Sequence, residues 1–266
     1  MAAPHVAGTA ALLMALGLTN CSAQKSILLN TDPTSWADGT GRLNAGKALS
    51  PATRKLCGTH DVGNYRPSDG AFQVSVSTGS SLTPISQWST TLVGNANDTR
   101  FIADYDGNGK ADVGNYRPSD GAFQVSLSTG SSLTPISQWS TTLVGNATDT
   151  RFIADYDGNG KADVGNYAPS APPPQCTGRF QVSLSTGSSL TPISQWSSIV
   201  GCPWEVRYIG NYNDDGKADV GNYVPGNGQF WVSVSTGSSL TPTSLWSTTL
   251  VGNANDTRFI ANFDGQ

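Results

Sequence analysis

Charge is scarce in this chain. Only 13% of its 266 residues are Asp, Glu, Lys or Arg, and the net charge is -4. So few charges argue against a helical or disordered protein, and no basic patch marks a nucleic-acid binder. Cysteine is scarce as well: there are four, none set beside another Cys or a His at the close spacing of a zinc site. That leaves disulfides, and with them an oxidising, extracellular compartment. After residue 19 no apolar run approaches the length of a membrane-spanning helix. Glycine is abundant instead, with 30 copies, as in proteins built of short strands and tight turns.

The opening stretch also lacks something. Residues 1–19 are apolar like an export leader, but no Lys or Arg precedes Lys25, so the cationic n-region is missing. Leu18-Thr19-Asn20-Cys21 has the outline of a lipoprotein box, with Asn20 where a small residue belongs. The other reading of this stretch is a buried helix.

Met1-Ala2-Ala3-Pro4-His5-Val6-Ala7-Gly8 resembles the stretch that follows the nucleophile in subtilisin-like serine peptidases. "CSAQKSILLNTDP" (21–33) resembles the next helix of that domain and "GTGRLNAGKAL" (39–49) its closing helix. The resemblance implies that residues 1–49 are the C-terminal remnant of a peptidase domain, followed by a linker over 50–60. In that family the catalytic serine immediately precedes the methionine, while the aspartate and histidine lie far upstream. His5 then supports the helix and is not the general base. The implied parent is a serine endopeptidase, but this chain holds no triad and should hydrolyse no peptide bond alone.

Residues 61–266 are organised by a repeat. "DVGNY" recurs at 61–65, 112–116, 163–167 and 219–223, and residues 61–111 differ from 112–162 only at Val76 against Leu127 and Asn97 against Thr148. In the unit beginning at 99, strand-like runs fall at 99–107, 112–118, 123–130 and 136–145, divided by "NGKA", "SDGA" and "SSLTP". Phe123, Val125 and Leu127 alternate with polar residues, which puts one apolar face on that strand. Four antiparallel strands in about 50 residues predict a mainly β fold, a β-propeller of about four units near 61–98, 99–149, 150–205 and 206–256, with a partial one at 257–266. That last strand either completes the first blade or belongs to a larger ring. Trp88, Trp139, Trp196 and Trp246 are expected to fill the gaps between blades, stacking on a sugar being the other reading.

The sharpest chemistry is "DYDGNGKAD". Asp104, Asp106 and Asn108 can aim their side chains at one point, the carbonyl of Lys110 adds a donor, and Asp112 closes the site. Asp155, Asp157, Asn159, Lys161 and Asp163 repeat the set. Asn211, Asn213, Asp215, Lys217 and Asp219 form a third, weaker one with fewer carboxylates, and nothing before Asp61 supplies a fourth. Oxygen donors in an irregular loop suit Ca2+, whereas Mg2+ demands a smaller, regular cage. An EF-hand would need a Glu where Asn115 stands. "ADYDGNGKADVGNYRPSDGAFQV" resembles the FG-GAP-like, or VCBS-type, repeats of secreted propellers, departing from them at Gly114 and Asn115.

An insertion at 168–178 carries Cys176, and strand directions place it on the same rim as Cys202, so these two are expected to form a disulfide. The pairing of Cys21 and Cys57 stays open. Two functions follow. One is the C-terminal part of a secreted subtilisin-like endopeptidase whose calcium-stabilised propeller is an accessory domain, its partner being the missing peptidase part. The alternative is a stand-alone secreted propeller that binds extracellular glycan or protein.

Overall fold

The computed structural model describes residues 31–32, 42–43, 60–89, 93–140, 142, 144–169, 178–197, 199–247, 252 and 256–260. Two compact units divide the chain, Met1–Val62 with Ser75–Ile85 and Gly63–Val74 with Ser86–Gln266. Among the described residues there is no helix, and none therefore that is long and apolar enough to cross a membrane.

In the first unit β1 (Thr31–Asp32) pairs antiparallel with β2 (Arg42–Leu43). These four residues fall within the two stretches expected to be helical, and here they are extended. Pro33 supplies a reason for the first, because a residue preceding proline is pushed out of the helical region. The rest of residues 1–49 lies outside the described residues. In the same unit the Asp61 carboxylate accepts the Ser77 amide at 2.7 Å, and Thr78 N–H reaches Ser81 O at 2.8 Å.

The second unit is made of β-propeller blades. A three-stranded sheet joins β3 (Val62–Arg66), β4 (Ala71–Ser75) and β5 (Ser86–Gln87). Three four-stranded sheets follow in chain order. They are β6 (Thr99–Ala103), β7 (Asp112–Arg117), β8 (Ala122–Ser126) and β9 (Ser137–Gln138); β10 (Thr150–Ala154), β11 (Asp163–Ala168), β12 (Arg179–Ser183) and β13 (Ser194–Ser197); and β14 (Val206–Gly210), β15 (Asp219–Val224), β16 (Gln229–Ser233) and β17 (Ser244–Leu245). Every pairing with an established register is antiparallel, as expected for strands joined by short turns.

The outermost strands are shorter than the sequence suggests. Trp139 and Ser140 both direct their amides at Phe123 O, at 2.9 and 3.2 Å, and the chain then leaves the sheet. A short edge also limits unwanted pairing with other chains.

Alternation predicted one apolar face on the run at 123–130; β7 beside it is buried at five of its six positions, Asn115 and Asp112 included. The reason is that each inner sheet is covered on both sides by neighbouring blades. Tyr105, Tyr116, Phe123, Val125, Trp139 and Val144 of one blade pack with Ala162, Val164 and Leu190 of the next. One step further, Tyr156, Tyr167, Phe180, Val182, Trp196 and Val200 pack with Ala218, Val220 and Leu240. Three tryptophans do fill these seams: Trp88, Trp139 and Trp196 are buried, and their carbonyls accept the amides of Leu133, Leu190 and Leu240 at 2.8, 2.9 and 3.0 Å. Burial removes the three from any sugar-stacking role. Each contributes on the order of a few kcal/mol through the area it takes from water. Trp246 differs, being 46% exposed.

Gly114 and Asn115, the two departures from the resembling repeats, have specific uses. A Cβ at Gly114 would lie 2.6 Å from Tyr105 Cζ and 2.8 Å from Phe123 Cζ, so only glycine lets these rings close over the strand. Asn115 Nδ2 donates to Asp98 Oδ2 at 2.9 Å and to Gln124 Oε1 at 3.3 Å.

Candidate metal centre

The loop between β6 and β7 is folded by its own carboxylates. Asp104 Oδ1 accepts the amides of Gly107 and Asn108 at 2.7 and 3.1 Å, and Oδ2 accepts that of Gly109 at 2.6 Å. Gly107 and Gly109 make this possible with φ of 80° and 81°, a region that side chains disfavour. Asp106 Oδ1 accepts Asn108 N–H at 3.0 Å. Asp112, the first residue of β7, accepts Tyr105 N–H on Oδ2 at 2.9 Å and Ser128 N–H on Oδ1 at 2.7 Å.

This folding brings Asp104, Asp106 and Asp112 together, with a carboxylate oxygen from each lying within 4.8 Å of the others. Asp155, Asp157 and Asp163 form a second such group between β10 and β11. The bonds repeat: Asp155 to Gly158, Asn159 and Gly160 at 2.7, 3.1 and 2.7 Å, and Asp163 to Tyr156 and Ser185 at 2.9 and 2.7 Å.

Like charges so close need compensation. Burial pushes the Asp112 carboxyl up to about 6, with Asp106 and Asp104 adding to the rise and two backbone amides opposing it. Burial pushes Asp163 up to about 7 in the same way, and raises Asp157 as well. An oxygen-only set with one fully buried carboxylate fits a hard divalent cation, so each group could hold a metal ion.

The remaining expected ligands are less directly committed. Asn108 Oδ1 accepts Lys110 N–H at 2.9 Å while its Nδ2 donates to Asp106 Oδ2 at 2.7 Å. Asn159 does the same with Lys161 N–H and Asp157, at 2.8 and 2.9 Å.

The third loop is built differently. Asn211 and Asn213 both accept the Asp215 amide, at 3.1 and 3.3 Å, and Asp219 accepts Tyr212 and Ser235 amides, each at 2.8 Å. Lys217 enters with its ammonium as well as its backbone: Nζ lies 3.1 Å from Asp215 Oδ2, supplying a positive charge from within the chain. Asp214, where the other loops have Gly107 and Gly158, takes φ of 61°.

Each of the first two loops is braced by the next blade. Ala162 N–H reaches Asp104 O at 2.8 Å and Ser185 Oγ–H reaches Tyr105 O at 2.6 Å. Ala218 and Ser235 do this for Asp155 and Tyr156, at 2.8 and 2.7 Å. Cys202 is disulfide-bonded; its partner, and with it Cys176, lies outside the described residues.

Sequence reasoning missed two features. The first is a clamp at every seam. Arg100, Arg151, Arg207 and Arg258 place their guanidinium carbons over Tyr65, Tyr116, Tyr167 and Tyr223, 3.2 to 3.3 Å from the ring centroids. Arg100 also donates to Val93, Asp98 and Asn95 carbonyls, as near as 2.6 Å. The second is Trp204, 48% exposed, which no other repeat contains.

Two solved structures are similar to this chain in fold. An Agrocybe aegerita lectin, solved to show specific recognition of non-reducing terminal N-acetylglucosamine, superposes with a TM-score of 0.55 at 21% identity over 66% of this chain. The match takes in 46% of the lectin chain, so the chain spans just under half the length of that structure. A Photorhabdus luminescens Tc holotoxin pore matches 76% of this chain with 9% of its own, at a TM-score of 0.51 and 12% identity. No family model matches the chain, and no curated protein matches it significantly. At these identities the likeness is one of fold.

Proposed function

We propose that the chain is a binding propeller, presenting one loop surface several times over to a carbohydrate or protein ligand. The observation that supports this best is replication of an exposed loop, bond for bond. Thr129, Thr186 and Thr236 each bind the serine three residues on, with Oγ1 to Oγ distances of 2.8 to 2.9 Å. Repeated sites on a rigid frame suit a ligand that is itself repeated, because each weak contact adds to the next through effective concentration. Glycans ending in one sugar are such a ligand, and the lectin likeness makes N-acetylglucosamine termini the first probe. Trp204 offers an apolar face on which a sugar ring can stack.

Calcium is the cation we assign to Asp104, Asp106 and Asp112 and to Asp155, Asp157 and Asp163, with Asn108, Asn159 and the carbonyls of Lys110 and Lys161 completing the shells. The third set, at Asn211, Asn213, Asp215, Lys217 and Asp219, binds it more weakly, since Lys217 already pairs with Asp215. Secretion and a Cys176–Cys202 disulfide belong to the same proposal.

A glycan array printed at several densities tests the reading. Binding that rises steeply with the density of one terminal sugar is expected. Blank arrays, together with a blank pull-down against extracellular proteins, would count against it.

The motifs at residues 1–49 favour a second reading, in which the propeller serves a subtilisin-like peptidase as an accessory domain. Reading the DNA upstream of Met1 tests it. An in-frame Gly-Thr-Ser run is expected, and a stop codon directly upstream would sink the idea.

A further inference from the structure

A row of side chains crosses each four-stranded blade on the face turned to the blade before it. In β6–β9 the row is Arg100, Asn115, Gln124 and Gln138, and in β10–β13 it is Arg151, Asn166, Gln181 and Gln195, each residue opposite the next across the strands. The asparagine is doubly held. Asn115 Nδ2 donates to Asp98 Oδ2 and Gln124 Oε1 at 2.9 and 3.3 Å, and Asn166 Nδ2 to Asp149 Oδ2 and Gln181 Oε1 at 2.9 and 3.5 Å.

In β14–β17 the row becomes Arg207, Asn222, Trp231 and Leu245, and Glu205 stands where the other blades have Asp98 and Asp149. Both acceptors of the asparagine are thereby replaced. Asn222 is 1% exposed, and neither its Nδ2 nor its Oδ1 has a hydrogen-bond partner. Arg207 Nε is buried and unpaired too, where Arg100 and Arg151 donate from Nε to Val93 O and Val144 O at 3.2 Å. Unpaired polar groups at this depth cost stability, and breaches of a local rule that the rest of the molecule keeps mark functional sites.

A Cβ on Gly201 would collide with Glu205 Oε2 and lie 3.2 Å from Asn222 Nδ2, so carboxylate and amide meet beneath one turn. Outward along the row Trp231 is half-buried and Leu245 is 43% exposed, which carries the same face to solvent. We propose that this seam binds one sugar ring, the terminal residue of a glycan, through Glu205, Asn222 and Trp231. Donors and acceptors stand side by side here, on an amide and on a carboxylate and a guanidinium whose charges cancel, and a neutral hydroxyl group both donates and accepts. The indole and Leu245 offer the apolar platform on which the C–H face of a pyranose lies. The inference rests on the carbohydrate reading above and adds to its repeated loops a single site, made by departures from the repeat.

Calorimetric titration of the full chain with free hexoses and N-acetylhexosamines tests this. Saturable binding of one sugar, once per chain, is expected. Glu205→Asp with Trp231→Gln rewrites the row as the other blades have it, so that Asn222 regains its partners; this variant should bind that sugar at least about tenfold more weakly, and should melt higher than wild type in its absence. Trp231→Phe keeps an aromatic platform and should retain most of the affinity. A double variant that binds as wild type does would overturn the proposal, and so would a wild type that binds no free sugar while the glycan array is positive. A blank array instead removes the carbohydrate reading, and this site falls with it.

Discussion

The Tyr105 amide donates to Asp112 Oδ2 at 2.9 Å, across the whole of the loop that lies between them. This bond fixes the buried carboxylate opposite Asp104 and Asp106, so the loop is shaped before any cation arrives. Binding then has little ordering to offset, and the gain should appear as stability.

Calcium is accordingly expected to raise the melting temperature measured by differential scanning fluorimetry, and chelation to lower it. Asp106→Asn, which leaves the Asp112 bonds in place, should remove a substantial part of that rise; Asp106→Asn with Asp157→Asn should remove nearly all of it. An equal rise in wild type and double variant would place the cation elsewhere.

The pH dependence has a definite sign. Asp112 and Asp163 hold their protons in the folded state up to about 6 and about 7, whereas an unfolded Asp releases its proton near about 3.9. Between those limits the folded state binds more protons, so the metal-free protein loses stability as pH rises through the window. A bound cation favours the carboxylate and counters that loss. In chelator the melting temperature should fall from about pH 4 to about pH 8, and the increment from added calcium should grow over the same range. A constant increment would contradict this.

Arg151 is expected to matter more than any surface cation. Arg151→Ala removes the stacking on Tyr116 and donors to the carbonyls of Val144, Asn146 and Asp149, and should cost about 2–4 kcal/mol in urea unfolding. Arg151→Lys should recover little, since an ammonium cannot span three carbonyls while lying flat on a ring. A loss within error of zero would show the clamp to be ornamental.

Gly114 and Tyr105 should behave oppositely. Gly114→Ala forces a methyl against two buried rings and should cost about 1–3 kcal/mol. Tyr105→Phe deletes a buried hydroxyl that has no hydrogen-bond partner and should leave stability within about 1 kcal/mol of wild type. Equilibrium unfolding of the two variants side by side decides between them.

Much of this was legible in the sequence because repetition writes local rules several times over. Strand positions, turn glycines and the Asp104, Asp106, Asp112 spacing all depend on neighbours within a dozen residues. Burial of Trp139 followed from its recurrence once per unit. What escaped depends on contacts between blades. Arg151 over Tyr116 spans 35 positions, and no periodicity within one blade announces it. Asn115 reads as a solvated polar residue until a neighbouring sheet covers its strand. Lys217 was read for its carbonyl, and the reach of its ammonium to Asp215 appears only when the loop is folded. Trp204 stands outside the repeat altogether.

The bracing of each loop by its successor, Ala162 to Asp104 and Ala218 to Asp155, makes the array a nearest-neighbour chain in the thermodynamic sense. What happens at one link biases the next and is invisible two links away except through the one between. Occupancy of the Asp155 loop should therefore slow amide exchange at Ala218, in the blade that follows, and at Ala162, whose amide binds Asp104 of the blade before. Coupling in such a molecule is reciprocal and passes from each blade to its immediate neighbours.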